Sequence, residues 1–289
     1  MTNKIKAVFF DWAGTMVDFG SRAPVMAMQS AFLACGVEVS EASVRAHMGK
    51  AKRDHVMSMF ADEDVSSRWM KAKGSHPGDA EADALMIELE PAMAREAAKA
   101  SKLIPGGKMV FDGLIASGIQ VGSSTGYTHT MMAEVVRLAA DQGYHPQTIL
   151  CAGDTSEGRP APFMLWQAMI NLGVWPARTC VAVDDAPVGI LAGREAGMWT
   201  VGLAGSGNAL GLDEAAYDAL DPKTRTEKLK AASVSFVEAG ADFVIATIAD
   251  LPGVLGSIQA AIAKGLTPGG AASLLDHSVT GQSKALAQK

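Results

Sequence analysis

The chain has 289 residues, 48% hydrophobic and 19% charged, enough to bury a sizeable core as one large domain or as a core with an insertion. A net charge of −6 without any basic tract excludes an extended nucleic-acid footprint or an anionic-membrane surface, so phosphate chemistry would have to be local. Cys35, Cys151 and Cys180 are odd in number and lack metal spacing, which predicts reduced, mostly buried thiols and a cytoplasmic setting.

The opening stretch MTNKIKAVFFDWAG has too short an apolar part for a signal peptide. No run of 18 uncharged apolar residues follows, so the chain reads as soluble. Its first predicted strand covers residues 6–10, and further strand-length apolar runs occupy 119–122, 148–152, 180–183 and 200–203, with a sixth at 243–245. Each of the first five is followed by a helical pattern, which predicts a doubly wound, Rossmann-like parallel α/β sheet covered on both faces. Ligands of such sheets sit beyond the carboxyl ends of the strands, and that rim collects Asp11, Ser123, Asp154, Asp184 and Asp185.

Between the first two strands, APVMAMQSAFLACG, EASVRAHMG, KRDHVMSMFADE and ADALMIELEPAMAREAAKA read as helices, far more chain than a crossover requires. Residues 20–102 are therefore expected to be an inserted α-helical cap, with 1–19 and 103–266 forming the core and 267–289, rich in Gly, Ala and Ser, a mobile tail.

Asp11, at the end of the first strand, could act as base, metal ligand, nucleophile or mere turn cap. GSSTGY after the second strand offers hydroxyls and a bare backbone to phosphate oxygens, or is an ordinary turn. Arg159 in EGRPAP has the planar fork that grips phosphate. Asp184 and Asp185 are adjacent acids, costly unless a cation such as Mg²⁺ lies between them and a phosphate.

Together DWAGT, GSSTGY, GRPAP and VDD…GREAGMWTVG resemble the haloacid dehalogenase superfamily and, within it, the phosphonatase family, over about residues 5–265. Most phosphatases of the superfamily carry a second Asp two places after the nucleophile, to protonate an alkoxide leaving group. Ala13 stands there instead, as in phosphonatases. Breaking a C–P bond releases a carbanion, which needs an electron sink, and a protonated lysine imine is one. HMGKAKRDHV resembles the family segment carrying that lysine and places it on Lys52. Lys50 is the rival by spacing alone, and a solvated basic face of Lys50, Lys52 and Arg53 is the plain alternative. Lys52 and His55 share a helix face, which suggests His55 as proton-transfer partner.

The resemblance implies hydrolysis of phosphonoacetaldehyde, in 2-aminoethylphosphonate degradation, through an imine on Lys52 and an aspartyl-phosphate on Asp11. It implies Mg²⁺ held by Asp11, the Ala13 carbonyl, Asp185 and Asp184. Substrate would meet Arg159, Thr125 and Gly126, with Tyr127 and Met48 lining the pocket and Ser123 competing with Thr125 for the phosphate. A homodimer joined through the caps, with Met26 and Met28 as contact area, is also implied. In many members a further Asp follows four residues after the position of Asp185, but here that place is Gly189, and Asp184 is expected to stand in for it through a water or indirect contact. Arg159 stands where most of the superfamily has lysine, as phosphonatases do. The competing functions are another Mg²⁺-dependent phosphatase or phosphomutase of the superfamily, which Ala13 disfavours, and a nonenzymatic interaction protein on the same fold.

Overall fold

The structure is a computed structural model describing residues 4–269, so residues 270–289 of the predicted tail lie outside the described residues. Its centre is a six-stranded parallel sheet in the order β3-β2-β1-β4-β5-β6. The strands are β1 (Ala7–Phe10), β2 (Gln120–Ser124), β3 (Thr148–Leu150), β4 (Cys180–Asp184), β5 (Trp199–Leu203) and β6 (Phe243–Ile245). The predicted strands are found within a residue or two, because strands buried on both faces read as unbroken apolar runs.

Helices α1 (Arg22–Ala34), α2 (Glu41–Arg45), α3 (Lys52–Ala61), α4 (Glu63–Lys73) and α5 (Asp79–Lys99) follow β1. After them come α6 (Gly107–Ala116), α7 (His129–Asp141), α8 (Phe163–Leu172), α9 (Pro187–Glu195), α10 (Glu214–Asp218), α11 (Pro222–Glu238) and α12 (Leu251–Ala263). Helix α4 escapes a sequence reading because its charged segment buries only Val65 and Trp69, too thin a stripe to announce itself.

Side chains alternate across the sheet. Val8 and Phe10 of β1 face a cluster that takes in Phe111 of α6, Met131 of α7 and Ile258 of α12, and that continues without a break into Met28, Phe32 and Leu89 of the helical insertion. Ala7 and Phe9 face the opposite layer, with Met164 and Leu165 of α8 and Ala192 of α9. Helices therefore cover both faces, as a parallel sheet requires. Met28 is fully buried in this core and offers nothing to a partner, whereas Met26 of the same helix is half exposed.

From β1 the chain moves outward to β2 and β3, then returns to place β4 on the other side of β1. That reversal opens a crevice at the carboxyl ends of β1 and β4. In register, Phe10 lies level with Ser123 on one side and Val183 on the other, so the next residue, Asp11, emerges between the ends of β2 and β4. No helix among the described residues is long and apolar enough to cross a membrane.

Candidate active site

The crevice holds three carboxylates and two cationic side chains. Asp11 is fixed by its own amide, which donates to the Val183 carbonyl at 3.0 Å. Arg159 Nη1 lies 2.9 Å from Asp11 Oδ1 and 3.0 Å from Asp184 Oδ2. Its Nη2 donates to the Ser124 carbonyl at 2.7 Å and to Ser124 Oγ at 3.0 Å, so the guanidinium is held in one pose. Asp185 Oδ2 accepts from Ser21 Oγ and from the Asn208 amide, both at 2.7 Å.

Ligand oxygens of Asp11, Asp184 and Asp185 lie within 4.8 Å of one another. Burial pushes Asp11 and Asp184 above the ordinary carboxylate range against the pull of Arg159. Asp185 is raised to about 7 by burial, with Asp11 adding to it. Three buried acids thus share too little positive charge to ionise together comfortably. Gly14, at φ +75°, lets the Asp185 carboxylate pack against its turn, since a Cβ there would meet Asp185 Oδ2 at 2.2 Å. Hard oxygen donors and an excess of negative charge fit a divalent cation such as Mg²⁺.

Gly189 is accounted for by the same packing. A Cβ on it would come within 1.9 Å of Asp184 Oδ2 and 2.0 Å of its Cγ. The Asp184 carboxylate, anchored by the Ala186 amide at 2.9 Å, lies directly over position 189 and fills the space a side chain there would need.

From the insertion, the loop before α3 closes over the crevice. A Cβ on Gly126 would meet the Lys50 carbonyl oxygen at 2.4 Å, so the two backbones touch only because residue 126 is glycine. The cavity left between them, about 20 Å³, is lined by residues that include Asp11, Ala13, Met48, Lys52, Thr125, Gly126, Tyr127, Arg159 and Asp185. That is room for little more than a water molecule, so a substrate needs the loop to give way.

Lys52 is the first residue of α3 and 3% exposed. Its Nζ sits 5.0 Å from the centre of the Tyr127 ring and, among the described residues, makes no hydrogen bond or ion pair. Burial lowers its pKa to about 8, with Asp11 opposing and Arg159 assisting. A helix N-terminus is also the wrong end for a cation. Lys50 differs: its Nζ donates to Ser58 Oγ at 2.8 Å. The two lysines that spacing leaves as rivals are thereby in unlike states, one amine engaged and one free.

His55 is fully buried and does not line the cavity. Its Nε2 donates to the Val44 carbonyl at 2.8 Å, and its Nδ1 has no partner. Burial and Lys52 hold its pKa well below the usual histidine range, so the ring is neutral. Ser123, expected to compete with Thr125, lies outside the cavity lining and accepts from Trp12 Nε1 at 2.9 Å, whereas Thr125 faces the cavity. Asp18 is buried, and its two oxygens accept from the Arg22 and Ala23 amides at the start of α1, fixing the turn after Asp11. His129 is exposed and ion-paired to Asp154 at 2.8 Å. Cys151 lies beside that pair, but burial raises its thiol to about 12 and both Asp154 oxygens are engaged, so the trio is committed to its own contacts.

Ser21, Ser124 and Asn208 were not singled out by the sequence. Asn208 had a usable signal: it follows the fifth strand at the same rim as the other site residues, in the segment AGSGN. Ser21 had none.

A family model for haloacid dehalogenase-like hydrolases matches residues 5–197. A phosphonoacetaldehyde hydrolase of Paraburkholderia phytofirmans is 43% identical over 91% of this chain and 99% of its own length. The chain belongs to the phosphonoacetaldehyde hydrolase family of haloacid dehalogenase-like hydrolases. The family also holds a phosphonoacetaldehyde hydrolase-like protein of Syntrophobacter fumaroxidans, 37% identical over 91% of this chain and 95% of its own. Among solved structures, a phosphonoacetaldehyde hydrolase like protein from Oleispira antarctica superposes with a TM-score of 0.90 at 39% identity, covering 91% of this chain and 96% of that one. Membership makes the chain a hydrolase of this superfamily.

Proposed function

We propose that this chain hydrolyses phosphonoacetaldehyde to acetaldehyde and phosphate. Relatives carry both the hydrolase and the hydrolase-like name, so the reading rests on the chain's own residues. The observation that carries it is the free, buried Lys52 amine sharing one small cavity with Asp11 and Arg159. A phosphate ester needs no neutral amine for its hydrolysis, and Ala13 denies such an enzyme the acid for an alkoxide leaving group.

In this reading the phosphonate dianion lies against Arg159 and the Thr125 and Gly126 backbone, with Tyr127 and Met48 packing the carbon chain. The neutral Lys52 amine adds to the aldehyde carbon, and loss of water leaves a protonated imine. An Asp11 carboxylate oxygen attacks phosphorus in line. The C–P electron pair moves into the new C=C bond while the imine π electrons settle on nitrogen, so the carbon leaves as a neutral enamine. Water hydrolyses the aspartyl-phosphate to free phosphate. The enamine takes a proton at carbon and its imine is hydrolysed, releasing acetaldehyde and restoring Lys52. Mg²⁺, when held by Asp11, the Ala13 carbonyl and Asp185 with Asp184 in support, would offset the repulsion between carboxylate and phosphonate. Neutral His55 is a weak base here. Its bond to Val44 ties α3 to α2, and its orphan Nδ1 is the acceptor available for proton transfer one turn from Lys52.

The remaining parts of the reading are a core of residues 1–19 and 103–266, a cap of 20–102, a place in 2-aminoethylphosphonate degradation in the cytoplasm, and a homodimer through the caps. The exposed Met26 and Leu33 on α1 support the last of these.

The test is release of phosphate and acetaldehyde from phosphonoacetaldehyde with Mg²⁺ by wild type, Lys52→Arg and Lys50→Arg, with borohydride trapping of the imine. Turnover and trapping in wild type and Lys50→Arg, absent in Lys52→Arg, are expected. A wild type that leaves phosphonoacetaldehyde intact yet hydrolyses a phosphate ester refutes the reading.

A further inference from the structure

Arg45, the last residue of α2, reaches out of the helical insertion into the β1–α1 connection and the loop after β5. Its Nη1 donates to the Gly20 carbonyl at 2.9 Å and to Asn208 Oδ1 at 3.0 Å, and its Nη2 to the Gly211 carbonyl at 3.3 Å. Asn208 Nδ2 answers by donating to the Arg45 carbonyl at 3.0 Å. Glu41 Oε1 accepts from Nε at 2.7 Å and completes the guanidinium's set of partners. The side chain is only 15% exposed. A Cβ on Gly211, at φ +66°, would lie 2.8 Å from the Arg45 Cζ, so the notch is shaped for this guanidinium.

Two consequences meet at this one residue. The backbone amide of Asn208 is the donor that holds Asp185 Oδ2 at 2.7 Å. The chain leaving Arg45 is the loop that carries Met48 and Gly49 over the crevice and ends at Lys52. One side chain therefore grips the support of a cation-ligating carboxylate and the root of the amine-bearing loop.

We propose that Arg45 with Asn208 is a latch that couples closure of the helical insertion to cation binding. With the latch made, Asp185 is set for the cation and Lys52 is delivered to the cavity. With it broken, the cation site loses its shape and the loop its anchor. Both residues are positioning residues, since neither lines the cavity. Coupling of this kind is reciprocal, so the cation must favour the amine side as much as closure favours the cation. The inference rests on the reading of Lys52 and Asp185 given above.

The experiment measures Mg²⁺ affinity by calorimetry, without substrate, in wild type, Arg45→Met, Arg45→Lys, Asn208→Ala and Lys52→Arg. Beside it, borohydride trapping with phosphonoacetaldehyde is titrated with and without Mg²⁺. Arg45→Met and Asn208→Ala are expected to weaken Mg²⁺ binding at least about fivefold and to erase the effect of Mg²⁺ on the half-saturation of trapping. Arg45→Lys should fail to rescue, because an ammonium cannot span two carbonyls and an amide oxygen as the planar fork does. A general loss of packing would weaken both readouts but leave their mutual dependence intact, and that outcome overturns the latch. Folded Arg45→Met or Asn208→Ala with wild-type Mg²⁺ affinity, or a wild type that binds no Mg²⁺, overturns the latch. Failure of the imine reading is separable: wild type would bind Mg²⁺, the latch variants would still weaken that binding, and nothing would be trapped on Lys52.

Discussion

Substituting Gly189 by alanine should displace the Asp184 carboxylate. Ordinary non-bonded contacts need about 3.5 Å or more, and the new methyl would stand 1.9 Å from Asp184 Oδ2 and 2.5 Å from Oδ1. Moving the carboxylate clear breaks its bonds to Arg159 Nη1 at 3.0 Å and to the Ala186 amide at 2.9 Å. Charge-assisted bonds are worth about 1.5–3 kcal/mol each, and overpacking costs about 1–3 kcal/mol, so a total of about 4–9 kcal/mol is expected if no rearrangement relieves it. If about 2 kcal/mol of it reaches the transition state through a misplaced Arg159, kcat/KM falls about thirtyfold. Gly189→Asp should be worse, for it adds a fourth buried carboxylate. The double variant Asp184→Gly, Gly189→Asp moves the acid to the place that the family pattern gives it in many members and should recover to within about tenfold of wild type. The assay is phosphate release from phosphonoacetaldehyde, with melting temperature alongside. Gly189→Ala with unchanged melting and kcat/KM, or a double variant no better than Gly189→Asp, would refute the argument that Asp184 fills this space.

Further outcomes follow from single residues. With Mg²⁺ saturating, kcat/KM should rise with pH to a plateau through about 8, because the attacking amine is Lys52 in its neutral form; a flat profile between about pH 6.5 and 9 would sink this. Asp18 is raised to about 6 by burial, so the native state keeps a proton that the unfolded chain has already lost above its ordinary value of 3.8. The stability associated with it is full below that value and falls by about 3 kcal/mol as pH rises through about 6. Asp18→Asn keeps a helix-capping oxygen, tolerates the φ of 55° and should flatten the dependence, which pH-resolved denaturation would show. Ala13→Asp puts a carboxyl group into the cavity lining beside Asp11; C–P cleavage should drop by at least about tenfold while hydrolysis of an aryl phosphate appears, and retention of full C–P activity would count against the leaving-group argument.

Much of the architecture could be read from the chain because its signals are local. Strands buried on both faces are apolar runs, their ends mark the rim, and the surplus of helix between β1 and β2 marks the insertion. Ala13 and Lys52 stand out by residue type within a motif, and both line the cavity. What could not be read depends on which partner each side chain takes, near or far along the chain. Spacing puts Lys52 and His55 on one face of α3 but cannot say that the imidazole turns away to Val44. Nor can it say that Ser123 is taken by Trp12 Nε1, or that Lys50 is spent on Ser58. Asp184 and Gly189 looked like a departure from pattern until packing showed that one occupies the space of the other. Arg45 and Asn208, 163 residues apart, gave no hint of meeting.

A partly neutral amine is a hazard to its owner, since any stray aldehyde can condense with it. The backbone contact of Gly126 with Lys50 covers this one, leaving room for little more than a water molecule. On the proposed function, admission would require helices α1–α5 to lift from a core they share without a break, exposing apolar surface each time. An aldehyde that brings a dianion would give Arg159 and a bound cation reason to draw the two parts together again, and one that does not would leave the door ajar. Such a lid would act as a chemical proofreader, in which the phosphonate end of the visitor decides whether its aldehyde end is ever allowed to react.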